Sequence, residues 1–174
     1  MRHSLGLLVF SFLLVNCAVP VYGSNKSLDL SQPIIVKSFT AKVKGAAGLP
    51  EAVRGAVVQT MRDDGAFKNV LTEADATASS APQPNYILEG ELVDFAAGNA
   101  AKRLMVGLGS GRSHARFEFS LKNSSTGEVV WQKSIKQTAS FWFNGTTSSA
   151  AERAELPDGL AKQLVNELKK IEAK

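Results

Sequence analysis

The chain is nearly without cysteine and histidine: Cys17 is its one cysteine, and His3 and His114 are its two histidines. Each of these except His114 lies in the first 23 residues. Removal of that segment would leave no disulfide, no thiolate metal site and no cysteine nucleophile. A zinc site of the usual His-rich kind is likewise excluded, and a Ser-His-Asp triad would have to use His114. The sequence also has no apolar run long enough for a membrane-spanning helix, which needs roughly 20 residues. Lys and Arg are scattered and the net charge is only +4, so there is no clustered basic footprint for nucleic acid. Aromatic residues are sparse at 7%. There is no Gly-Lys-Ser/Thr phosphate loop. Gly107, Gly109 and Gly111 run straight into an alternating segment at His114, whereas a nucleotide loop must open a helix.

What is present begins with an export signal. Arg2 and His3 form a short basic start, residues 5–15 are apolar apart from Gly6 and Ser11, and Val21-Tyr22-Gly23 offers a peptidase site. This is the order of a secretory signal peptide over residues 1–23. The expectation is an exported protein, periplasmic or secreted. Leu14-Val15-Asn16-Cys17 carries the alternative, lipidation at Cys17 and an outer-membrane lipoprotein. Asn16 departs from that pattern, which wants a small residue. Membrane contact is expected only if Cys17 is lipidated.

The remainder has the length of one ordinary domain, and over the whole chain 44% apolar against 21% charged residues is a globular balance. Residues 24–33 read as a polar leader and 34–174 as a single domain. Residues 34–39 are β-branched and apolar, hence a strand. Pro50 suits a helix start, and Leu49, Val53, Val57 and Met61 recur every four residues. Residues 67–71 read as a second strand and 73–84 as a loop. In the strand 86–95, strict alternation puts Tyr86, Leu88 and Leu92 on one face and Ile87, Val93 and Phe95 on the other. Residues 114–122 alternate cleanly, with Ala115, Phe117, Phe119 and Leu121 inward and His114, Arg116, Glu118 and Ser120 outward. Residues 123–127 form a hairpin turn, and 129–138 return with Trp131 and Ile135. Leu160, Leu164, Leu168 and Ile171 mark a closing helix over 156–171. Adjacent strands with helices at either end predict an α+β fold: a mostly antiparallel sheet of about five strands with two helices packed on it.

Few residues offer chemistry. Glu89 and Glu91 stand two apart on a strand and so share a face, the pattern of an acid–base pair or of a solvated surface. Strict alternation places Asp94 off that face. Phe141, Trp142 and Phe143 are consecutive, so at least one must leave any single buried face. Residues 96–111 are mostly small, with Arg103, Leu104 and Met105 among them. Asn25, Asn123 and Asn144 stand in glycosylation sequons.

The middle of the chain has a recognisable order. Asn85-Tyr86-Ile87-Leu88-Glu89-Gly90 is followed by Asp94-Phe95, Gly98-Asn99, Arg103, and Val106-Gly107-Leu108-Gly109-Ser110-Gly111. Ser125-Thr126-Gly127-Glu128-Val129 comes after the next strand. This resembles a bacterial envelope family known as domain of unknown function 4410, over roughly residues 34–171. Asn123 stands where that family's turn is expected to have Asp. The resemblance implies a small periplasmic or lipid-anchored α/β protein, with a fold like the compact domain of curli-secretion and cell-wall-synthase activator lipoproteins. It brings no catalytic residues.

Together these readings predict a non-enzymatic envelope accessory or interaction protein, with no cofactor, metal site or nucleic-acid partner. Its partner is another protein or a second copy, and Arg103, Leu104, Met105 and Trp142 are the expected contacts. The rival expectations are a small-molecule or carbohydrate-binding protein with a pocket near residues 98–111, and a hydrolase using Glu89 and Glu91.

Overall fold

The computed structural model describes residues 28–77, 82–98, 111–139 and 149–172, without the side chains of 149–153 and 172. The signal segment with Cys17, the segment carrying Arg103, Leu104 and Met105, the aromatic triplet with Trp142, and the sequons at Asn25 and Asn144 lie outside the described residues.

Among the described residues there are three helices and a six-stranded sheet. Strands β1 (Ile34–Val36) and β2 (Thr40–Ala41) are followed by helix α1 (Leu49–Asp63) and strand β3 (Val70–Thr72). Helix α2 (Glu73–Ala76), strands β4 (Tyr86–Ala96), β5 (His114–Asn123) and β6 (Val129–Thr138), and helix α3 (Ser149–Glu172) complete the chain. The strand order is β3-β1-β4-β5-β6, with β2 lying against β4 beyond the end of β1.

The α+β class is as expected, but the sheet is mixed. β1 runs parallel to both β3 and β4, and β2 runs parallel to β4. Among the described strands, only β4 with β5 and β5 with β6 pair antiparallel. The reason is connectivity. Helix α1 lies between β1 and β3 in the chain, and a helical crossover returns the chain in the same direction. The first strand is also shorter than its apolar run. It stops at Val36, and Phe39 turns into the core while the backbone rejoins β4 at Thr40.

Other elements are redrawn in the same way. The second strand is Val70–Thr72, with Phe67 buried before it. The segment read as a loop from residue 73 opens with α2, which a capping box nucleates: Thr72 accepts from the Asp75 N–H while Asp75 accepts from the Thr72 N–H. The polar leader ends inside the molecule, where Leu28 and Leu30 are buried.

One face of the sheet is the core. Leu88 and Leu92 of β4, Ala115, Phe117, Phe119 and Leu121 of β5, and Ile135 of β6 meet Val53, Val57 and Met61 of α1 and Leu160, Leu164 and Leu168 of α3. Phe39 packs edge-on to Phe119 at 5.7 Å between ring centres, and Phe119 stacks on Phe117 at 5.5 Å. Gly90 makes room for this cluster. A Cβ there would sit 3.0 Å from the Phe39 ring and 3.1 Å from Phe119. The opposite face of the sheet carries the charged residues.

Candidate functional site

The outer face is built by alternation on β4 and β5. With Leu88, Gly90 and Leu92 pointing inward, Glu89 and Glu91 must point outward. The register sets Glu89 opposite Ser120 and Glu91 opposite Glu118. Strict alternation fails at one place. The pairing shifts between Leu92 and Asp94, so Val93 is an extra residue in β4. Beyond the bulge Asp94 pairs with Arg116 and Phe95 with buried Ala115. Asp94 thus joins Glu89 and Glu91 on the outer face, and Phe95 returns to the core side, contrary to the alternation read from the sequence.

All three carboxylates are held by cations. Lys122 Nζ lies 2.5 Å and Lys37 Nζ 3.8 Å from Glu89. Lys42 Nζ lies 2.6 Å from Glu91, whose carboxylate raises the lysine's pKa. Arg116 Nη2 donates to Asp94 Oδ2 at 3.0 Å, and His114 Nε2 is 3.3 Å from the same oxygen. The Arg116 hydrogen bond, with the charges of His114, Arg116 and Lys136, holds Asp94 below the ordinary 3.8, against a weaker opposing effect of desolvation. His114 is outward, as its place in the alternation requires, with a quarter of its side chain exposed.

Between β2 and β5 this face carries an open groove of about 400 Å³, lined in part by Lys37, Ser38, Thr40, Glu89, Glu91 and Ser120. It is polar and charged, not an apolar pocket. Among the described residues no group of three or more His, Cys, Asp or Glu side chains could hold a metal ion. Also among them, no helix is long and apolar enough to cross a membrane. The sequence reading named the two glutamates but missed the lysines that hold them. Lys37 and Lys42 come from segments distant in the chain, and only the parallel pairing of β1 and β2 with β4 brings them alongside.

A second site of convergence lies at the far end of the sheet. Ser113 is fully buried; its Oγ donates to the Ala97 carbonyl at 2.8 Å, and its own carbonyl accepts from Ala139 N–H at 2.9 Å. Gly98 adopts φ +79°, and a Cβ there would lie 2.7 Å from Ser113 Oγ. Three strand ends are pinned at one point. The hairpin at the opposite end is closed by Asn123. Its Oδ1 accepts from Ser125 N–H and Oγ and from Thr126 N–H, so the side chain of this sequon residue serves the turn.

The sequence profile of domain of unknown function 4410 matches residues 24–142. The chain belongs to that family. The match starts earlier and stops earlier than the resemblance read from the sequence. It covers Gly90, Gly98, Ser113 and Asn123, the residues around which the aromatic cluster, the pinned strand ends and the hairpin are built. No curated protein matches the chain. Among solved structures, PelC from Paraburkholderia phytofirmans, a dodecamer, is similar at 17% identity and a TM-score of 0.53, over 79% of this chain and 90% of that one. Protein XCC0632 from Xanthomonas campestris is similar at 16% identity and a TM-score of 0.56, covering 80% of this chain and 83% of its own. Protein CT253 from Chlamydia trachomatis gives 7% identity and a TM-score of 0.51, over 82% and 99%. At such identities the likeness is one of fold.

Proposed function

We propose that this is an exported, non-enzymatic envelope protein that works by protein–protein contact, including association with itself. The observation that carries the reading is the state of the outer carboxylates. Glu89, Glu91 and Asp94 are each tied to a cation on an open sheet face. A general acid or base works best desolvated in a cleft and free to exchange its proton. The signal-peptide order of residues 1–23 supports export. Self-association draws support from the shared fold with PelC, which is a dodecamer. The contact with a partner protein is assigned to Arg103, Leu104, Met105 and Trp142. Their segments follow, in the chain, on strand ends that Ser113 pins together.

Two variants test this reading together. Leu104→Ser with Met105→Ser should leave the melting temperature nearly unchanged and weaken capture of partners from the envelope fraction. Glu89→Gln with Glu91→Gln should leave both intact. A large fall in stability in the first variant would place Leu104 and Met105 in the core. Loss of cellular function with unchanged melting in the second would restore the hydrolase reading.

The groove beside Glu89 favours a second reading, binding of a polar small molecule such as a sugar. Calorimetric titration with neutral sugars tests it: saturable heat that disappears in Glu89→Gln would support it, and no heat would remove it.

A further inference from the structure

We propose that the free edge of β6 pairs antiparallel with β6 of a second copy of this chain, about a two-fold axis at Ser134. This deepens the self-association in the reading above and rests on it.

The two edges of the sheet differ. β3 is three residues long and is closed. Arg62 Nε and Nη2 donate to the Val70 carbonyl at 3.3 and 3.1 Å, and Asp75 holds the same guanidinium at 2.9 Å. Thr72 is engaged in the capping box of α2. β6 is ten residues long and, among the described residues, pairs only with β5. Among the described residues its outer backbone groups take no bond from another segment. An exposed row of N–H and C=O groups of this length is a template for a further strand. A head-to-tail chain would need β3 as its complement, and that edge is capped. What remains is an isologous contact, in which β6 meets itself.

Charge then selects the register. The β5–β6 pairing shifts between Leu121 and Lys122, which makes Val130 an extra residue and leaves Trp131 to Thr138 regular. A two-fold axis at Lys133 or at Lys136 would set like charges directly opposite, which is unfavourable. An axis at Ser134 sets Lys133 opposite Ile135 and Lys136 opposite Gln132 of the second copy. It also covers half-buried Trp131 with Gln137 of the second copy, whereas an axis at Ile135 leaves Trp131 outside the paired stretch. Lys133 remains neutralised by Glu167 of α3.

The test is sedimentation equilibrium of the purified full chain and two variants at Gln132, an exposed residue opposite Ser120 in its own fold. Gln132→Glu sets a carboxylate opposite Lys136 of the second copy, and Gln132→Lys sets an ammonium there. The contact occurs twice by symmetry. The expected result is a dimer tightened by the first and weakened by the second, each about three- to tenfold, with melting temperatures unchanged. With Cys17 replaced by Ser, Ser134→Cys should form a disulfide-linked dimer on a non-reducing gel. Association that ignores both charge changes would overturn the β6 contact while leaving the self-association reading standing. A chain that stays monomeric at its highest soluble concentration would sink that reading as well.

Discussion

Three residues of the family pattern acquire physical reasons. Gly90 is where the Phe39 ring crosses β4, with 3.0 Å available for a Cβ. Gly98 combines φ +79° with a buried serine oxygen 2.7 Å from any Cβ. The Asn123 side chain accepts three hydrogen bonds on Oδ1 in its turn, a task an aspartate oxygen performs equally well. The expected Asp at that position and the Asn found there are therefore the same turn device. Gly90→Ala should destabilise the fold by about 1–3 kcal/mol, because the aromatic cluster must shift to admit one methyl group. Urea unfolding of the variant measures this; a midpoint equal to the parent's would show that Phe39 can move aside freely. Gly98→Ala should cost at least as much, since the added Cβ meets both a left-handed backbone and Ser113.

At the scale of elements, α3 holds the helical layer to the sheet. Leu160, Leu164 and Leu168 are fully buried against it, and Leu164→Ala should cost about 2–5 kcal/mol in urea unfolding. Ion pairs tie the layers at the surface: Lys169 joins α3 to Asp64 at the end of α1, and Lys133 of β6 joins Glu167 of α3. Hydrogen bonds from Lys169 and from Lys133 hold Asp64 and Glu167 below the ordinary 3.8 and 4.5, and the Ser38 hydroxyl does the same to Glu73. A carboxylate with a lowered folded pKa stabilises the fold above its unfolded value and loses that contribution as pH falls through the lowered one. The melting temperature should therefore be flat from pH 7 to about 5 and fall below about 4. The fall should be modest, since exposed ion pairs contribute little. Melting that peaks below pH 4 would contradict this.

The elements with a strong period were legible in the sequence: α1 from its four-residue apolar spacing, β5 from clean alternation, the β5–β6 hairpin from its turn, and the buried length of α3. What escaped reading was set by contacts distant in the chain. The parallel partners of β1 depend on where α1 folds back. The bulge at Val93 leaves no trace in composition, yet it decides which face Asp94 takes. Leu28 and Leu30 look like strays in a polar leader until the core that receives them exists. Of the candidate site, the shared face of Glu89 and Glu91 was legible, and the lysines that hold them were not.

At the scale of the whole molecule, the described residues form one helical layer on a mixed sheet whose other face is charged and, among those residues, open. Among the described residues, one edge of that sheet is capped and the other is free. Export is expected to leave a chain beginning at Ser24, and intact-mass analysis of protein from the envelope fraction checks it. A mass fitting an acylated chain that begins at Cys17 would move the protein to a membrane surface instead. Association is the proposed mode of action. Sedimentation of the full chain and of its Glu89→Gln/Glu91→Gln variant across concentration tests this directly. Both should associate, with the same dissociation constant. Monomers at every concentration, in both proteins, would contradict it.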